Sequence, residues 1–316
     1  MKSLSIILLG LAASVFIIFG LTLATPPTDD FDLSNPNWNG LSKFNFRIEP
    51  VASLSFEELS PIDSTLFLIG PSKPFSEAEA LAIEAFLRRG GMVVLMDDYG
   101  SGNDLLAKLN VSVQFANIEV RDLLFRGEDS RLIKIVEVKP YALNVSSLTL
   151  NCATALIGVR ESEVLARSSP FSYLDENGNG LPDEGEPKGP FPVIAKIEYG
   201  EGALILISDS SLFINCMIDE GDNYALLRNL TAYKRVFIDT SHWKPSRLTL
   251  FKAKLMKSYD LIKAGEVKYT LLALLAVLTF KLKWRKEKEK SELKKVLKIH
   301  PDWDEGLLRK LEEERR

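Results

Sequence analysis

The hydrophobic pattern divides the 316 residues into a long apolar stretch at the front, a middle of short apolar runs separated by turn residues, and a charged tail behind a second apolar stretch. Between residues 64 and 113 the runs alternate as a parallel βαβ unit does. A β-branched and Leu-rich run at 65–69 leads through Gly70-Pro71 into a helical pattern over 76–89. Ser76 with Glu77 and Glu79 marks the start of that helix, and Gly90-Gly91 marks its stop. The run 92–96 lacks polar alternation, which predicts a strand covered on both faces. Further strands are expected at 132–138, 155–159, 164–166, 193–199, 203–207 and 235–238. A helix at about 222–233 carries Leu226, Leu227 and Leu230 on one side. Strands separated by helices imply an α/β fold with a doubly wound sheet. Strands that follow each other directly imply a partly antiparallel insertion.

The two long apolar stretches raise the question of a membrane. Leu4 to Ala24 contains no charged side chain, and a run of that length can cross a bilayer. Lys2 ahead of it and Thr22-Leu23-Ala24 at its end also suit a cleaved secretory signal, but the run is longer than the usual signal core, so a retained anchor over 1–25 is preferred. Tyr269 to Phe280 is shorter, a length more typical of a buried helix. Its flanks favour the membrane: Val267, Leu282 and Trp284 extend it, and Lys268, Lys281 and Lys283 can snorkel, which predicts a second span over 267–284.

Charge then orients the chain. Lys281 to Arg316 holds 13 Lys and Arg against 9 Asp and Glu, and the overall net charge of −4 leaves −10 for residues 26–267. Basic segments stay inside, so the expectation is a two-pass cell-membrane protein with cytoplasmic N-terminus and tail (285–316) and an exported domain (26–245) joined to the span by an amphipathic helix within 246–266. An acidic, exported domain argues against nucleic-acid binding. Sequons at Asn110, Asn144 and Asn229 are compatible with export, and a single glutamine, Gln114, beside abundant Lys and Glu points to a thermophile.

Several motifs occur in a telling order: Asp30 to Phe44 (DFDLSNPNWNGLSKF), Gly90 to Asn103, Asp209-Ser-Ser-Leu-Phe-Ile-Asn215, Gly221-Asp222-Asn223 and Phe237-Ile-Asp-Thr-Ser-His242. Together they resemble the archaeal and bacterial membrane family called domain of unknown function 4350, over most of residues 30–245. The resemblance implies a flavodoxin/class I glutamine-amidotransferase-like doubly wound sheet, flanked by two transmembrane helices, that has generally lost amidotransferase chemistry. It also implies protein partners, namely a MoxR-type AAA ATPase and von Willebrand-like and transglutaminase-like proteins, in assembly or maturation at the envelope.

The residues bear on that chemistry directly. An amidotransferase needs a Cys on the sharp turn after a strand, with a His to activate it. After 92–96 this chain has Asp97, Asp98 and Tyr99, and Ser101 lies outside any Gly-x-Ser-x-Gly frame. His242 stands three residues after Asp239, at the strand end where α/β proteins place their sites. The two form either a ligand-binding or acid/base pair or a structural hydrogen bond beside Trp243. Asp97 and Asp98 are candidate ligand contacts, or a solvated loop. The function expected is a non-catalytic membrane-anchored binding or scaffold subunit; the alternative is a hydrolase or transferase built on Asp97, Ser101, Asp239 and His242.

Residues 175–186 carry the sharpest chemical signal. DENGNGLPDEGE fits D-x-[DN]-x-[DN]-G-x5-E at every defined position. Asp175, Asn177, Asn179, the carbonyl of Leu181, Asp183 and Glu186 are the expected calcium ligands, with Gly180 at the sharp turn. Prolines on both sides deny the loop the two helices of an EF-hand, so structural calcium of weak affinity is expected; a polar hairpin of similar composition is the rival reading. Cys152 and Cys216 are either a disulfide or two thiols acting as small hydrophobes. The tail reads as a lipid-surface helix, a docking peptide or a solvated charged helix.

Overall fold

The computed structural model describes residues 10–314 except 11–12, 15–16, 45–46, 56–57, 140–143, 233, 264–268, 271–272, 275, 278, 282 and 285–293. It separates into two compact units, Met1–Leu250 and Phe251–Arg316.

The strands of the first unit are β1 (Ile48–Val51), β2 (Ser64–Ile69), β3 (Met92–Met96), β4 (Gln114–Phe115), β5 (Glu119–Asp122), β6 (Leu132–Ile135), β7 (Glu137–Val138), β8 (Leu148–Asn151), β9 (Leu156–Ile157), β10 (Val164–Arg167), β11 (Ser172–Asp175), β12 (Pro192–Tyr199), β13 (Gly202–Ile207) and β14 (Arg235–Asp239). The helices packed among them are α1 (Glu77–Arg88), α2 (Gly102–Lys108) and α3 (Asn223–Thr231). An eight-stranded sheet in the order β1-β14-β2-β3-β13-β12-β10-β7 forms the centre. Its first five strands are mutually parallel and the last three are joined antiparallel, so the fold is mixed α/β with a mostly parallel sheet.

Side-chain alternation builds a core on each face. Leu66, Leu68, Val93, Leu95, Leu204 and Leu206 face one way, against Ile83, Phe86 and Leu87 of α1 and Leu105 and Leu106 of α2. Phe67, Ile69, Val94, Met96, Ile205 and Ile207 face the other way, against Leu226, Leu227 and Leu230 of α3 and the strands of the insertion. Burying each large apolar side chain contributes about 1.5–3 kcal/mol, which explains the unbroken apolar text of β2, β3 and β13.

Helix α1 starts where Ser76 caps it. The Ser76 side chain accepts the Glu79 N–H, and Glu79 in turn accepts the Ser76 N–H at 2.7 Å. The run 132–138 divides, contrary to the single strand its pattern predicts. Val136 is exposed, and the chain leaves the β6–β8 ribbon there to let β7 join β10 at the sheet edge. Strand β1, which the pattern missed, contains Pro50 and lies at the opposite edge, where a residue without an N–H is tolerated.

The second unit holds most of α4 (Arg247–Lys263), which begins in the first, and α5 (Glu305–Glu314). The expectation of a two-pass membrane protein is corrected: among the described residues no helix is long and apolar enough to cross a membrane. Tyr269 to Phe280 would rise only about 18 Å as a helix, against a hydrocarbon core of ~30 Å, and lysines border it on both sides. The first stretch is helical at 17–24, and much of the remainder of both stretches lies outside the described residues. The orientation of domain and tail drawn from those two spans falls with them.

Candidate functional site at the carboxyl edge of the sheet

The chain leaves β3 toward α2, on the α1 face, and leaves β13 toward α3, on the other face. Adjacent parallel strands whose connections part in this way open a crevice at their carboxyl ends, where α/β folds bind ligands. The β3 side supplies Asp97 and Asp98, and the β13 side supplies Ser208, Asp209 and Ser210.

Asp97 is 1% exposed. Its Oδ1 accepts the N–H groups of Asp98 at 2.9 Å and Gly100 at 2.8 Å, and its Oδ2 accepts that of Gly102 at 2.6 Å. The glycines are required by this close approach: a Cβ on either would stand 2.6 Å from an Asp97 oxygen. Burial pushes the carboxyl up to about 6, opposed by those same hydrogen bonds. Burial also raises Asp98, whose Oδ2 accepts from the Ser210 hydroxyl at 3.1 Å. Asp209 is fully buried and pushed up to about 7. Its Oδ2 accepts the Asn151 N–H, and its Oδ1 accepts both the N–H and the hydroxyl of Ser211, all at 2.7 Å. Asp209 was not singled out from sequence as a site residue. The signal was there: a polar Ser-Asp-Ser directly after a buried strand matches the acidic turn directly after β3.

Asp239 and His242 lie at the end of β14, on the far side of β2 from this crevice. His242 Nδ1 is 2.6 Å from Asp239 Oδ2, so the ring donates its Nδ1 hydrogen to the carboxylate. Asp239 Oδ1 accepts from the N–H and hydroxyl of Ser241. The imidazole stacks on Phe75 at 4.0 Å, is 4% exposed, and directs Nε2 toward Glu79 Oε2 at 3.8 Å. The His242 carbonyl accepts from the N–H and hydroxyl of Ser72, and Trp243 Nε1 donates to the Ile69 carbonyl at 2.7 Å. The pair is thus a clasp between the β2–α1 loop and the segment after β14. Ser101, at the start of α2, is not among its hydrogen-bond partners; the Ser101 N–H donates to the Pro71 carbonyl.

A cavity of about 990 Å³ opens beside the Asp209 network, lined by Trp38, Arg126, Arg131, Lys134, Cys152 and Cys216 among others. Both cysteines are free thiols. Burial pushes Cys152 up to about 11. Trp38 is 65% exposed at this cavity.

The expected calcium ligands lie on β11 and the loop after it. Asp175 and Glu186 are buried, Asp183 is half-buried, and Asn177, Asn179 and Leu181 are exposed. Among the described residues no group of three or more His, Cys, Asp or Glu is placed to hold a metal by itself.

Residues 35–231 match the family described as Domain of unknown function (DUF4350). Among curated proteins there is no match. Of solved structures, the mmIFT52 N-terminal domain is similar at 15% identity, over 60% of this chain and 87% of that one, with a TM-score of 0.46. A putative ThuA-like protein from Bacteroides uniformis is similar at 18% identity, over 57% of this chain and 72% of that one, with a TM-score of 0.36. A cytoplasmic protein from Salmonella typhimurium is similar at 14% identity, over 59% and 78%, with a TM-score of 0.35.

Proposed function

The chain belongs to the DUF4350 family, and on that premise we propose that it is a non-catalytic binding or scaffold subunit of a multiprotein complex, working with a MoxR-type AAA ATPase. The observation that carries this reading is the fate of Asp97. On the family resemblance, a class I amidotransferase-like fold would hold its nucleophile after β3, where this chain has Asp97, and both Asp97 oxygens are taken by backbone N–H groups. Three N–H groups and 1% exposure make this carboxylate the anchor of a turn, closed off from solvent. The Asp239–His242 pair is likewise turned inward, with its imidazole stacked on Phe75 and closed off from solvent.

One surface open to a partner is the cavity bordered by Trp38 and Arg131. An exposed indole next to guanidinium groups is the side-chain mixture that dominates protein-binding hot spots. Von Willebrand-like and transglutaminase-like proteins are the further partners this reading admits.

The test is direct binding of the purified chain to a purified MoxR-type ATPase from the same genome. The expected result is saturable binding that Trp38→Ala and Arg131→Glu weaken at least about tenfold and that the double variant Asp239→Asn, His242→Gln leaves unchanged. Hydrolytic or transfer turnover that this double variant abolishes would overturn the reading.

A further inference from the structure

The loop 175–186 plays no part in the function proposed above. It carries Asp175, Glu176, Asp183, Glu184 and Glu186 and no Lys or Arg. Asp175 is the most deeply buried of these carboxylates. This residue ends β11, and its side chain is 0% exposed. A buried carboxylate is stable only when both oxygens are satisfied. Oδ2 accepts the Gly180 N–H across the loop at 2.9 Å and lies 2.7 Å from Arg121 Nε. Oδ1 has no hydrogen-bond partner among the described residues.

The neighbouring strand repeats the deficit. Glu119 on β5 is directly opposite Asp175 in the antiparallel ribbon. Its Oε2 pairs with Arg121 Nη2 at 2.8 Å, and its Oε1 is buried without a hydrogen-bond partner among the described residues. One guanidinium therefore serves two carboxylates, and the pocket is one positive charge short.

The outer part of the loop is drawn together around Asp183. Its Oδ2 accepts the side-chain amides of Asn177 at 2.6 Å and Asn179 at 2.7 Å. Two amide hydrogens thus converge on one carboxylate oxygen, as a cation would. The amide oxygens of Asn177 and Asn179 accept the backbone N–H groups of Asn179 at 2.9 Å and Leu181 at 2.7 Å, which leaves each a second lone pair for a cation. Gly180, at φ +76, carries the chain through a turn that L side chains rarely adopt, and a Cβ there would approach Arg121 Nη1 to 3.0 Å. The carboxylates do not enclose an ion without help, so the shell needs the Asn177 and Asn179 amide oxygens and the Leu181 carbonyl.

We propose that residues 175–186 bind one calcium ion, through Asp175 Oδ1, the amide oxygens of Asn177 and Asn179, the Leu181 carbonyl, Asp183 and Glu186. All donors are oxygens, and a loop with this many of them favours calcium over magnesium, which demands a tight octahedron. The ion supplies the charge that Asp175 lacks and orders the excursion between β11 and β12. Arg121 competes for Asp175 and two of the donors are neutral, so the affinity is weak, ~10⁻⁴ to 10⁻³ M.

The experiment titrates the full chain with calcium by calorimetry, and with terbium while exciting Tyr173, whose hydroxyl donates to the Gly180 carbonyl at 2.9 Å. One saturable site is expected, with terbium emission that calcium displaces. Asp183→Ala and Asn177→Ala, both outside the buried core, weaken binding at least about tenfold with an unchanged circular dichroism spectrum. Absence of saturable binding up to about 10 mM calcium, or wild-type affinity in both variants, overturns the proposal.

Discussion

The Asp239 carboxylate and the His242 imidazole, 2.6 Å apart, share one buried hydrogen bond at the end of β14, and His242 meets the loop entering α1 through the Ser72 donors and the Phe75 ring. Removing the acceptor takes away the partner of the Ser241 N–H and leaves the buried His242 Nδ1 hydrogen only the Ser241 hydroxyl, 3.0 Å away. Asp239→Ala is expected to cost about 2–4 kcal/mol in urea unfolding, more than a surface substitution by a wide margin. A loss below about 0.5 kcal/mol would mean that the clasp is unimportant to the fold.

Asp209 makes stability depend on pH in an unusual direction. Its folded-state value of about 7 lies above the ordinary carboxylate value of 3.8, so between those limits the folded state holds more protons than the unfolded state. Stability therefore falls as pH rises through that window and is greatest at its acid end. Asp97, at about 6, adds to the same trend. Melting temperatures measured from pH 8 down to pH 5 are expected to rise, and Asp209→Asn to flatten the rise even though it loses one of the accepted hydrogen bonds. An unchanged slope in that variant would refute the assignment.

Gly102 is packed against the carboxylate it donates to. A Cβ there would meet Asp97 Oδ2 at 2.6 Å and Phe115 Cε2 at 3.0 Å, both within the buried interior. Gly102→Ala is expected to destabilise the domain by about 2 kcal/mol or more, read from chemical denaturation, whereas Gly178→Ala meets open space and is limited to the strain of its positive φ.

The helix start at Ser76 offers a milder test. Ser76→Ala removes one half of the reciprocal capping pair with Glu79 and should cost about 1 kcal/mol, while Ser76→Asp should retain most of it. Equal stability of the two variants would show that the cap contributes nothing.

The thiols border one cavity without being joined. Alkylation without reductant at pH 8 is expected to label both, Cys216 first because it is exposed and Cys152 later because its thiolate is scarce when burial holds it up at about 11. Mass spectrometry that finds neither labelled would show a bridge.

Local text was enough to read α1, β2, β3, β12, β13 and β14 nearly to the residue, because period, caps and uninterrupted apolar runs are properties of neighbours along the chain. The order of motifs was enough to recognise the family. Local text also brought the carboxyl-edge positions Asp97, Asp98, Asp239 and His242 to notice, since each lies at a strand end or within three residues of one. Local text failed where pairing was distant. It did not separate β6 from β7, find β1, or tell that an apolar stretch near each end falls short as a described helix of what crossing a membrane requires.

What each polar group does was decided by the tertiary structure alone. Asp209 is held by the N–H of Asn151, 58 residues away, and Asp175 shares Arg121 with Glu119 across a ribbon between strands that are far apart in sequence. Desolvation and hydrogen-bond supply are set by whatever the fold brings near. A sequence pattern can therefore place a carboxylate at a sheet edge, but only packing determines whether that carboxylate is satisfied, protonated, or left one partner short.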